Sequence, residues 1–405
     1  MLPVMSAAPH ASQAALPGIP QRRATRLIFL LCGMAQSAWA PLVPYAKARV
    51  HANDQHFGLL LLCFGAGSLL SMPTMGALAS RYGCKRLIQC SAGVIFLGLL
   101  AVSVAPSSTL LGLSLFLFGG SIGAIDVVMN MQAVLVEKPS GESLMSGFHG
   151  LYSVGGFAGA LLMSGLLWLN APAGVAALII AAVLCALLLL ANSALLPYGE
   201  EQHSKSSGFT WPGHYVIFLA LLGFIMMLAE GSMLDWSAVF LVDKVGLLEK
   251  NAGIGYTAFS IAMTLSRFGG KYIIRSIGRR WTMTAGALLA ASGFVLVASL
   301  ANPAASIFGF TLIGLGAANL VPLVFTLVSE SGGTLSSNIS LVSTVGYTGI
   351  LTGPAVIGFV VHAKGFGVAF GGVACLMAVV GLLIPIAVRS EPQISLKTIS
   401  PPQPR

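Results

Sequence analysis

Long apolar runs, each close to the length that crosses a bilayer, recur along the chain with short polar breaks between them. A membrane-spanning helix needs about 20 mostly apolar residues, and lipid cannot satisfy loose backbone groups, so closed helices are expected. Only 8% of the residues are charged, whereas soluble globular chains carry about 25%. The sequence therefore predicts an all-α polytopic membrane protein and excludes disordered, collagen-like and disulfide-rich secreted chains.

The polar breaks divide the sequence into twelve predicted membrane spans. The first six lie near 27–46, 57–79, 87–105, 109–134, 144–168 and 173–196. The next six lie near 215–240, 254–274, 281–300, 304–328, 339–361 and 367–388. The predicted units are an N-terminal tail (1–26), a six-helix half (27–196), a linker (197–213), a second six-helix half (214–388) and a C-terminal tail (389–405).

Lysine and arginine are unevenly divided between the two predicted sides of the membrane. Fifteen lie on the side of the N-terminus, five lie on the other side, and Arg267 lies within a span. Because cytoplasmic segments carry the excess of basic residues, both termini are predicted to be cytoplasmic, in the inner or plasma membrane. The net charge of +9 is therefore topological, and no nucleic-acid partner is expected.

Similar residues and strings recur in the two predicted halves at a nearly constant separation along the sequence. Trp39 and Trp236 are 197 positions apart, and Gly83 and Gly278 are 195 apart. The strings GAID (123–126) and GAAN (316–319) are 193 apart. These matches predict an internal repeat and two pseudo-symmetric six-helix bundles, the arrangement of a large class of secondary transporters.

The segment GALASRYGCKR (76–86) resembles the G-x-L-a-D-r-x-G-r-k loop motif of the major facilitator superfamily, and the overall resemblance covers nearly all of the chain. The matching loop residues are Gly76, Arg81, Gly83, Lys85 and Arg86. Ser80 stands where the family usually has Asp, and the repeat copy around 270–280 lacks that Asp as well. The resemblance implies a role for this loop in the conformational change. The family's loop is also described as a charge-relay latch, and the replacement of Asp by Ser80 removes the carboxylate of that latch.

Shorter strings resemble a branch of that superfamily, the MosC-like subgroup. They are HGLYS (149–153), AEGS (229–232) with Asp235 and Trp236, and RFGG (267–270). Asp126 followed by Asn130 in the fourth span also resembles the Glu…Asn pair of the fucose permease branch. The resemblance implies alternating access and proton-linked transport of a small polar solute (a sugar, polyol or amino-sugar) by a monomer without a cofactor other than the proton gradient.

Ionisable side chains inside a span are costly, so each one predicts a specific role. Asp126 lies in the fourth span and Glu230 in the seventh, and we expect them to flank a central cavity. Removal from water disfavours an ionised carboxylate, so both are predicted to exchange protons. His149, near the start of the fifth span, is the third candidate for proton coupling. The alternatives are structural carboxylates bonded to neighbouring helices and a packing histidine.

Polar and amphipathic residues on the predicted spans are candidate substrate contacts. They are Gln36, Trp39, Asn130, Tyr152, Ser153, Asp235, Trp236, Arg267, Asn319 and Tyr347. Three of them have an alternative interpretation. Trp39 is also suited to anchoring a membrane interface, Asp235 to a helix end, and Arg267 to a brace between helices.

Other functions stay open at this stage. The string GILTGPAVIG (349–358) resembles an antiporter motif, so export of a drug or metabolite by proton antiport is one alternative. A membrane sensor is another. An intramembrane serine hydrolase would use the Gly119-Gly120-Ser121-Ile122-Gly123 string with His149. The absence of nucleotide-binding, dinucleotide-binding and metal-ligand spacings indicates that the protein is not an enzyme and binds neither metal nor cofactor.

Overall fold

The computed structural model describes residues 17–140, 144–199, 213–331 and 335–388, and within them the regular elements are all helical. In these ranges eleven helical segments are long and apolar enough to cross a membrane. One of them, Glu249–Ser299, contains two helices that meet at Gly278, where φ is 77° and ψ is 164°. Counted separately, its parts bring the number of crossing helices in the described ranges to twelve. The predicted all-α polytopic class is confirmed.

The elements of the first half run from residue 19 to residue 192. They are α1 (Ile19–Ser37), a 3-10 turn (Ala40–Leu42), α2 (Val43–Arg49), α3 (Asp54–Tyr82), α4 (Cys84–Val104), α5 (Ser108–Glu137), a 3-10 turn (Lys138–Ser140), α6 (Met145–Trp168) and α7 (Ala173–Asn192). The helix α1 and the helix α2 together form the first crossing.

The elements of the second half run from residue 214 to residue 387. They are α8 (His214–Asp243), α9 (Glu249–Ala252), α10 (Ile254–Ser299), α11 (Pro303–Ala317), α12 (Leu320–Ser329), α13 (Leu335–Lys364) and α14 (Phe366–Ala387). The eighth and ninth crossings are the two parts of α10, and the tenth is α11 followed by α12.

The first helix begins earlier than the sequence predicts. It starts at Ile19 rather than near residue 27, so the last residues of the predicted N-terminal tail (1–26) are helical, and the boundary of the tail stays a prediction. Pro20 occupies the first turn, where its missing N–H costs nothing, and the Gly18 N–H donates to Gln21 Oε1 at 2.8 Å. These local signals extend the helix through the basic residues that precede its apolar part.

Helices in equivalent positions pack in the same way in each half. In the first half α1 packs on α6 and α7, while α3 and α4 pack on α5. In the second half α8 packs on α13 and α14, and α10 packs on α11. Glycine permits the closest approaches. A Cβ at Gly155 of α6 would lie 2.1 Å from the Leu30 oxygen, and one at Gly349 of α13 would lie 2.3 Å from the Phe224 oxygen. Small residues of this kind are how membrane helices bring their backbones together.

Two pairs of helices hold the halves against each other. The helix α3 packs on α13, and α6 packs on α10. The second crossing contacts the eleventh and the fifth contacts the eighth, so the two pairs are equivalent to each other under the repeat, in which the second crossing corresponds to the eighth and the fifth to the eleventh. The linker residues 200–212 and the tail residues 1–16 and 389–405 lie outside the described residues, so the boundaries assigned to them stay predictions.

Candidate functional site

Asp126 is the carboxylate that joins the halves at the centre of the fold. Its Oδ2 accepts a hydrogen bond of 3.1 Å from the Tyr347 hydroxyl, so a residue of α5 contacts a residue of α13. Asn130, one turn along α5, donates to the Asp126 backbone oxygen at 2.9 Å and approaches Oδ1 at 3.5 Å. All three side chains are partly exposed. The structure therefore brings two predicted site residues, Asn130 and Tyr347, to the carboxylate of a third, Asp126.

Gln36 and Tyr152 form a second polar pair, within the first half. The Tyr152 hydroxyl donates to Gln36 Oε1, which connects α6 to α1. Both side chains are partly exposed rather than sealed in the core. An amide and a phenol at such a position still have hydrogen-bonding capacity to offer a bound solute.

Arg267 of α10 lies at a junction of both halves. Its Nη1 donates to Ser153 Oγ of α6 at 3.0 Å, and its Nη2 lies 3.7 Å from Glu230 Oε1 of α8. Its Nε donates to the backbone oxygen of Ala318 at 3.2 Å. Pro322 has no N–H to offer that oxygen, which explains why the carbonyl is free to accept from an arginine. Arg267 therefore links three helical segments, as expected of the brace between helices, and also lies beside a carboxylate.

Glu230 differs from Asp126 in its surroundings. Its carboxylate pairs with Arg267 beyond normal hydrogen-bond length, and 34% of the side chain is exposed. Within the described residues the structure gives it no closer polar partner. The carboxylate is thus loosely held and faces the region between the halves from the second half, as Asp126 does from the first.

Trp39 and Asp235 form a buried pair between α8 and the segment that joins α1 to the 3-10 turn. Trp39 Nε1 donates to Asp235 Oδ1 at 3.1 Å, and both residues are buried. Trp236, the repeat equivalent of Trp39, donates instead to the Pro354 backbone oxygen at 3.0 Å, within its own half. Trp39, Asp235 and Trp236 are enclosed in this conformation, and their role as substrate contacts stays a prediction.

Asn319 and His149 lie at the margins of this region. Asn319 donates to the Ser266 backbone oxygen at 3.3 Å, and its side chain fills the space beside Gly270. His149 is exposed and meets the Phe29 ring edge-on, with 5.2 Å between ring centroids. Neither residue has a contact with Asp126 or Glu230 among the described interactions.

Several contacts at one end of the bundle were not predicted from the sequence. We call this end the distal end; it is opposite Ile19 and carries the turns 50–53, 169–172 and 244–248. Lys47 Nζ contacts Asp54 at 2.6 Å and also pairs with Asp243 of the second half. Three more polar pairs cross between the halves here: Ser37 with Tyr256, Ser164 with Thr257, and Lys250 with Asn170.

The spacing of two cross-half pairs is a signal that sequence reasoning missed. The partners in Trp39–Asp235 and in Lys47–Asp243 are each 196 positions apart in the sequence. Trp39 and Lys47 are therefore eight positions apart in the first half, and Asp235 and Asp243 are eight positions apart in the second. That spacing places two matched contacts about two helical turns apart. The halves are therefore held together at the distal end.

Comparison with known proteins decides the family. The model of the Major Facilitator Superfamily matches residues 27–334 and 219–404, which together cover most of the chain. The chain belongs to the Major Facilitator Superfamily. It is therefore a secondary transporter of a small-molecule substrate and a multi-pass membrane protein, and its family consists of transporters rather than enzymes.

Three relatives match over most of their length. An uncharacterized MFS-type transporter of Yersinia pestis is 45% identical over 370 residues, which cover 91% of this chain and 96% of that protein. An uncharacterized transporter of Sinorhizobium fredii is 32% identical, covering 88% and 96%. Membrane protein MosC of Rhizobium meliloti is 30% identical over 341 residues, covering 84% and 83%.

Solved structures share the fold at low sequence identity. The nucleoside transporter NupG superposes with a TM-score of 0.68 at 13% identity, covering 92% of this chain and all of that chain. The human organic anion transporter MFSD10 superposes with a TM-score of 0.65 at 15% identity, covering 91% of this chain and all of that chain. At such identities the likeness establishes the superfamily fold alone.

The loop that carries the superfamily motif is a tight turn fixed by the end of the first half. Gly83 has φ of 82°, and a Cβ there would lie 2.0 Å from the Pro197 oxygen. The Lys85 N–H donates to the Leu196 oxygen at 2.8 Å. In the repeat-related turn Gly278 also has positive φ, and Arg279 pairs with Glu330.

Ser121 lacks the setting that hydrolysis requires. It lies in the middle of α5, where its hydroxyl donates to the Phe118 oxygen at 2.8 Å. A hydrolase nucleophile of the G-x-S-x-G type stands on a sharp turn between a strand and a helix. Gly119 and Gly123 instead give α5 close approaches to α3. The string is explained by helix packing, and the serine hydrolase alternative is wrong for this family of transporters.

Proposed function

We propose that this protein is a proton-coupled symporter that moves a small polar solute by alternating access, with Asp126 as the proton-coupling residue. The observation that carries the proposal is the Asp126–Tyr347 hydrogen bond, because it joins the halves through a group that can be protonated. A protonated carboxyl group changes from acceptor to donor, so its contact with Tyr347 responds to the proton. Alternating access requires such a coupling between an ion site and the packing of the halves.

The proposed substrate is a sugar, polyol or amino-sugar. Gln36, Tyr152 and Asn130 offer amide and phenol groups near the proposed coupling site, and such groups bind hydroxyls by directional hydrogen bonds. The 30% identity to MosC over most of both chains supports membership of the MosC-like subgroup. The likeness of Asp126 and Asn130 to the fucose permease branch supports the same substrate class.

Glu230 and Arg267 are proposed to complete the site from the second half. Their charged groups lie 3.7 Å apart, which is longer than a hydrogen bond, so each keeps hydrogen-bonding capacity for a solute hydroxyl. His149 is proposed as the third residue for proton coupling, since its exposed ring belongs to the helix that carries Tyr152 and Ser153. The predicted role of substrate contact is also proposed for six further residues: Trp39, Ser153, Asp235, Trp236, Asn319 and Tyr347.

The proposed setting is the inner or plasma membrane, with both termini cytoplasmic and a monomer as the working unit. The excess of lysine and arginine on the side of the N-terminus supports this orientation. In this arrangement the distal end faces outward, and the contacts at that end close the outer side of the carrier.

A two-step experiment tests the proposal. Purified protein is first screened for thermal stabilisation by a panel of sugars, polyols and amino-sugars and by a panel of drug-like cations. A stabilising solute is then used in proteoliposome uptake with and without an imposed pH gradient. We expect gradient-driven uptake by the native chain and its loss in Asp126→Asn, with exchange of solute in the absence of a gradient retained.

The control and the contradicting results are specific. Glu330→Gln removes a carboxylate that pairs with Arg279 away from the proposed site, and gradient-driven uptake should persist in it. Full gradient-driven uptake by Asp126→Asn and by Glu230→Gln would refute proton coupling through these residues. Stabilisation by bulky cations alone, with efflux coupled to proton entry, would favour the antiport alternative.

A further inference from the structure

A basic cavity lies at the end of the bundle opposite the distal end, outside the proposed transport site. Its volume is about 560 Å³, and it lies where α3 ends and α4 begins. The residues that define its chemistry are Arg81, Lys85, Arg86, Gln89, Tyr82 and Tyr198. Three cations and several hydrogen-bonding groups therefore surround one space of the size of a small headgroup.

The cations of this cavity lack an ionic partner within the described part of the chain. None of the ion pairs described there includes Arg81, Lys85 or Arg86. Ser80 stands at the position where the superfamily motif usually has Asp, so the loop itself supplies no negative charge. Three like charges around one cavity are mutually repulsive, and an anion between them relieves that repulsion.

The start of α4 adds donors of the right kind. The N–H groups of Cys84 and Lys85 are satisfied by the carbonyl oxygens of Tyr198 and Leu196. The next two N–H groups belong to the first turn of the helix and have no acceptor within it. The N-terminal end of a helix favours phosphate through these groups and through its dipole.

The surface next to the cavity indicates where the anion comes from. Arg86 shares a face of α4 with Cys90, Val94 and Leu97, at the four- and three-residue spacing of one helix side. These residues are exposed, and Leu97 is 68% exposed, so the face contacts acyl chains in a membrane. A lipid with its chains along this face places its headgroup at Arg86.

We propose that this cavity binds the phosphate headgroup of an anionic lipid of the adjacent leaflet. The guanidinium groups of Arg81 and Arg86 and the ammonium of Lys85 supply charge, and the first turn of α4 supplies N–H donors. A bound headgroup would contact the turn between α3 and α4 and also the segment 196–198, whose carbonyl oxygens accept hydrogen bonds from that turn. The lipid therefore acts as a ligand of the turn that carries the superfamily motif.

The test is lipid binding to the full-length protein in neutral detergent, measured by native mass spectrometry. Phosphatidylglycerol and phosphatidylcholine are the probes, and inorganic phosphate is the competitor. We expect preferential binding of phosphatidylglycerol and a loss of roughly tenfold to a hundredfold in affinity in Arg81→Gln/Lys85→Gln/Arg86→Gln. The matched control, Arg275→Gln/Arg279→Gln/Arg280→Gln, removes the same charge from the repeat-related turn and should keep the preference.

Each other outcome overturns the proposal in a recognisable way. Equal losses in both triple variants would indicate diffuse attraction rather than a site. Complete displacement by millimolar inorganic phosphate would assign the cavity to free phosphate. Stronger lipid binding in Glu200→Gln/Glu201→Gln would show that the chain's own carboxylates fill the cavity. If the triple variant fails to fold, the single Arg86→Gln variant, at an exposed position, carries the test with a smaller loss.

Discussion

The indole of Trp39 is expected to hold the distal end closed. Its N–H donates to Asp235 across the two halves, and within the described residues the structure gives that carboxylate no other hydrogen-bond partner. The substitution Trp39→Phe keeps an aromatic ring and deletes the donor. Because the bond exists only while the halves are together, its loss should shift the equilibrium toward an open distal end.

The expected size of the shift follows from the burial of the pair. Trp39 is 1% exposed and Asp235 is 8% exposed, so the carboxylate left behind would be unsatisfied and screened from water. Leaving a buried polar partner unsatisfied costs about 1–3 kcal/mol. As a change in the ratio of open to closed molecules, this corresponds to about 5- to 150-fold.

Amide hydrogen exchange of the purified protein measures this shift directly. Peptides that cover 38–50 and 235–245 should exchange faster by the same factor, because their protection depends on closure. The matched control is Trp236→Phe, which deletes an equally buried indole N–H whose acceptor, the Pro354 oxygen, lies in the same half. Equal acceleration in both variants, or no acceleration in Trp39→Phe, would refute the assignment of this bond to closure of the distal end.

Three further predictions test neighbouring parts of the structure. Lys47→Met should also accelerate exchange at the distal end, but its effect should be about 1 kcal/mol or less and smaller than that of Trp39→Phe, since the paired Asp243 is 38% exposed. High salt should abolish the difference between this variant and the native chain. Gly155→Ala should lower the melting temperature in detergent, at a cost of about 1–3 kcal/mol, because its Cβ would lie 2.1 Å from the Leu30 oxygen, whereas Gly147→Ala on the same helix meets no atom within 4 Å and should be tolerated. Ser121→Ala should leave proteoliposome uptake unchanged, since its hydroxyl bonds only within its own helix; a loss of uptake would contradict the packing interpretation.

Local sequence properties predicted most of the fold. Hydropathy and length identify a membrane span without reference to the rest of the chain, and twelve crossings appear in the described ranges once the segment divided at Gly278 is counted as two. Errors occur where local backbone chemistry matters more than hydropathy. The first helix extends back to Ile19 because Pro20 and Gln21 favour its start, and the tenth crossing divides near Asn319, where Pro322 removes a helical hydrogen bond.

The candidate site was predicted in part for the same reason. Asp126, Glu230 and Arg267 stand out because charge inside an apolar span is conspicuous. Their partners do not stand out, since hydroxyl side chains such as those of Tyr347 and Ser153 are common in apolar spans and only the packing of the helices places them beside a charge. Lys47 and Asp243 were missed because each lies at the end of a span, where a charged residue is expected on hydropathy alone.

The sequence by itself determined the membrane class, the number of crossings and the repeat, because apolar length and recurring strings are properties of a linear chain. The tertiary structure alone decided which carboxylate meets which donor and which polar pairs join the halves at the distal end. Asp126 and Tyr347 are 221 positions apart, and Trp39 and Asp235 are 196 apart. Contacts over such separations depend on how two six-helix halves pack against each other, and no local pattern encodes that packing.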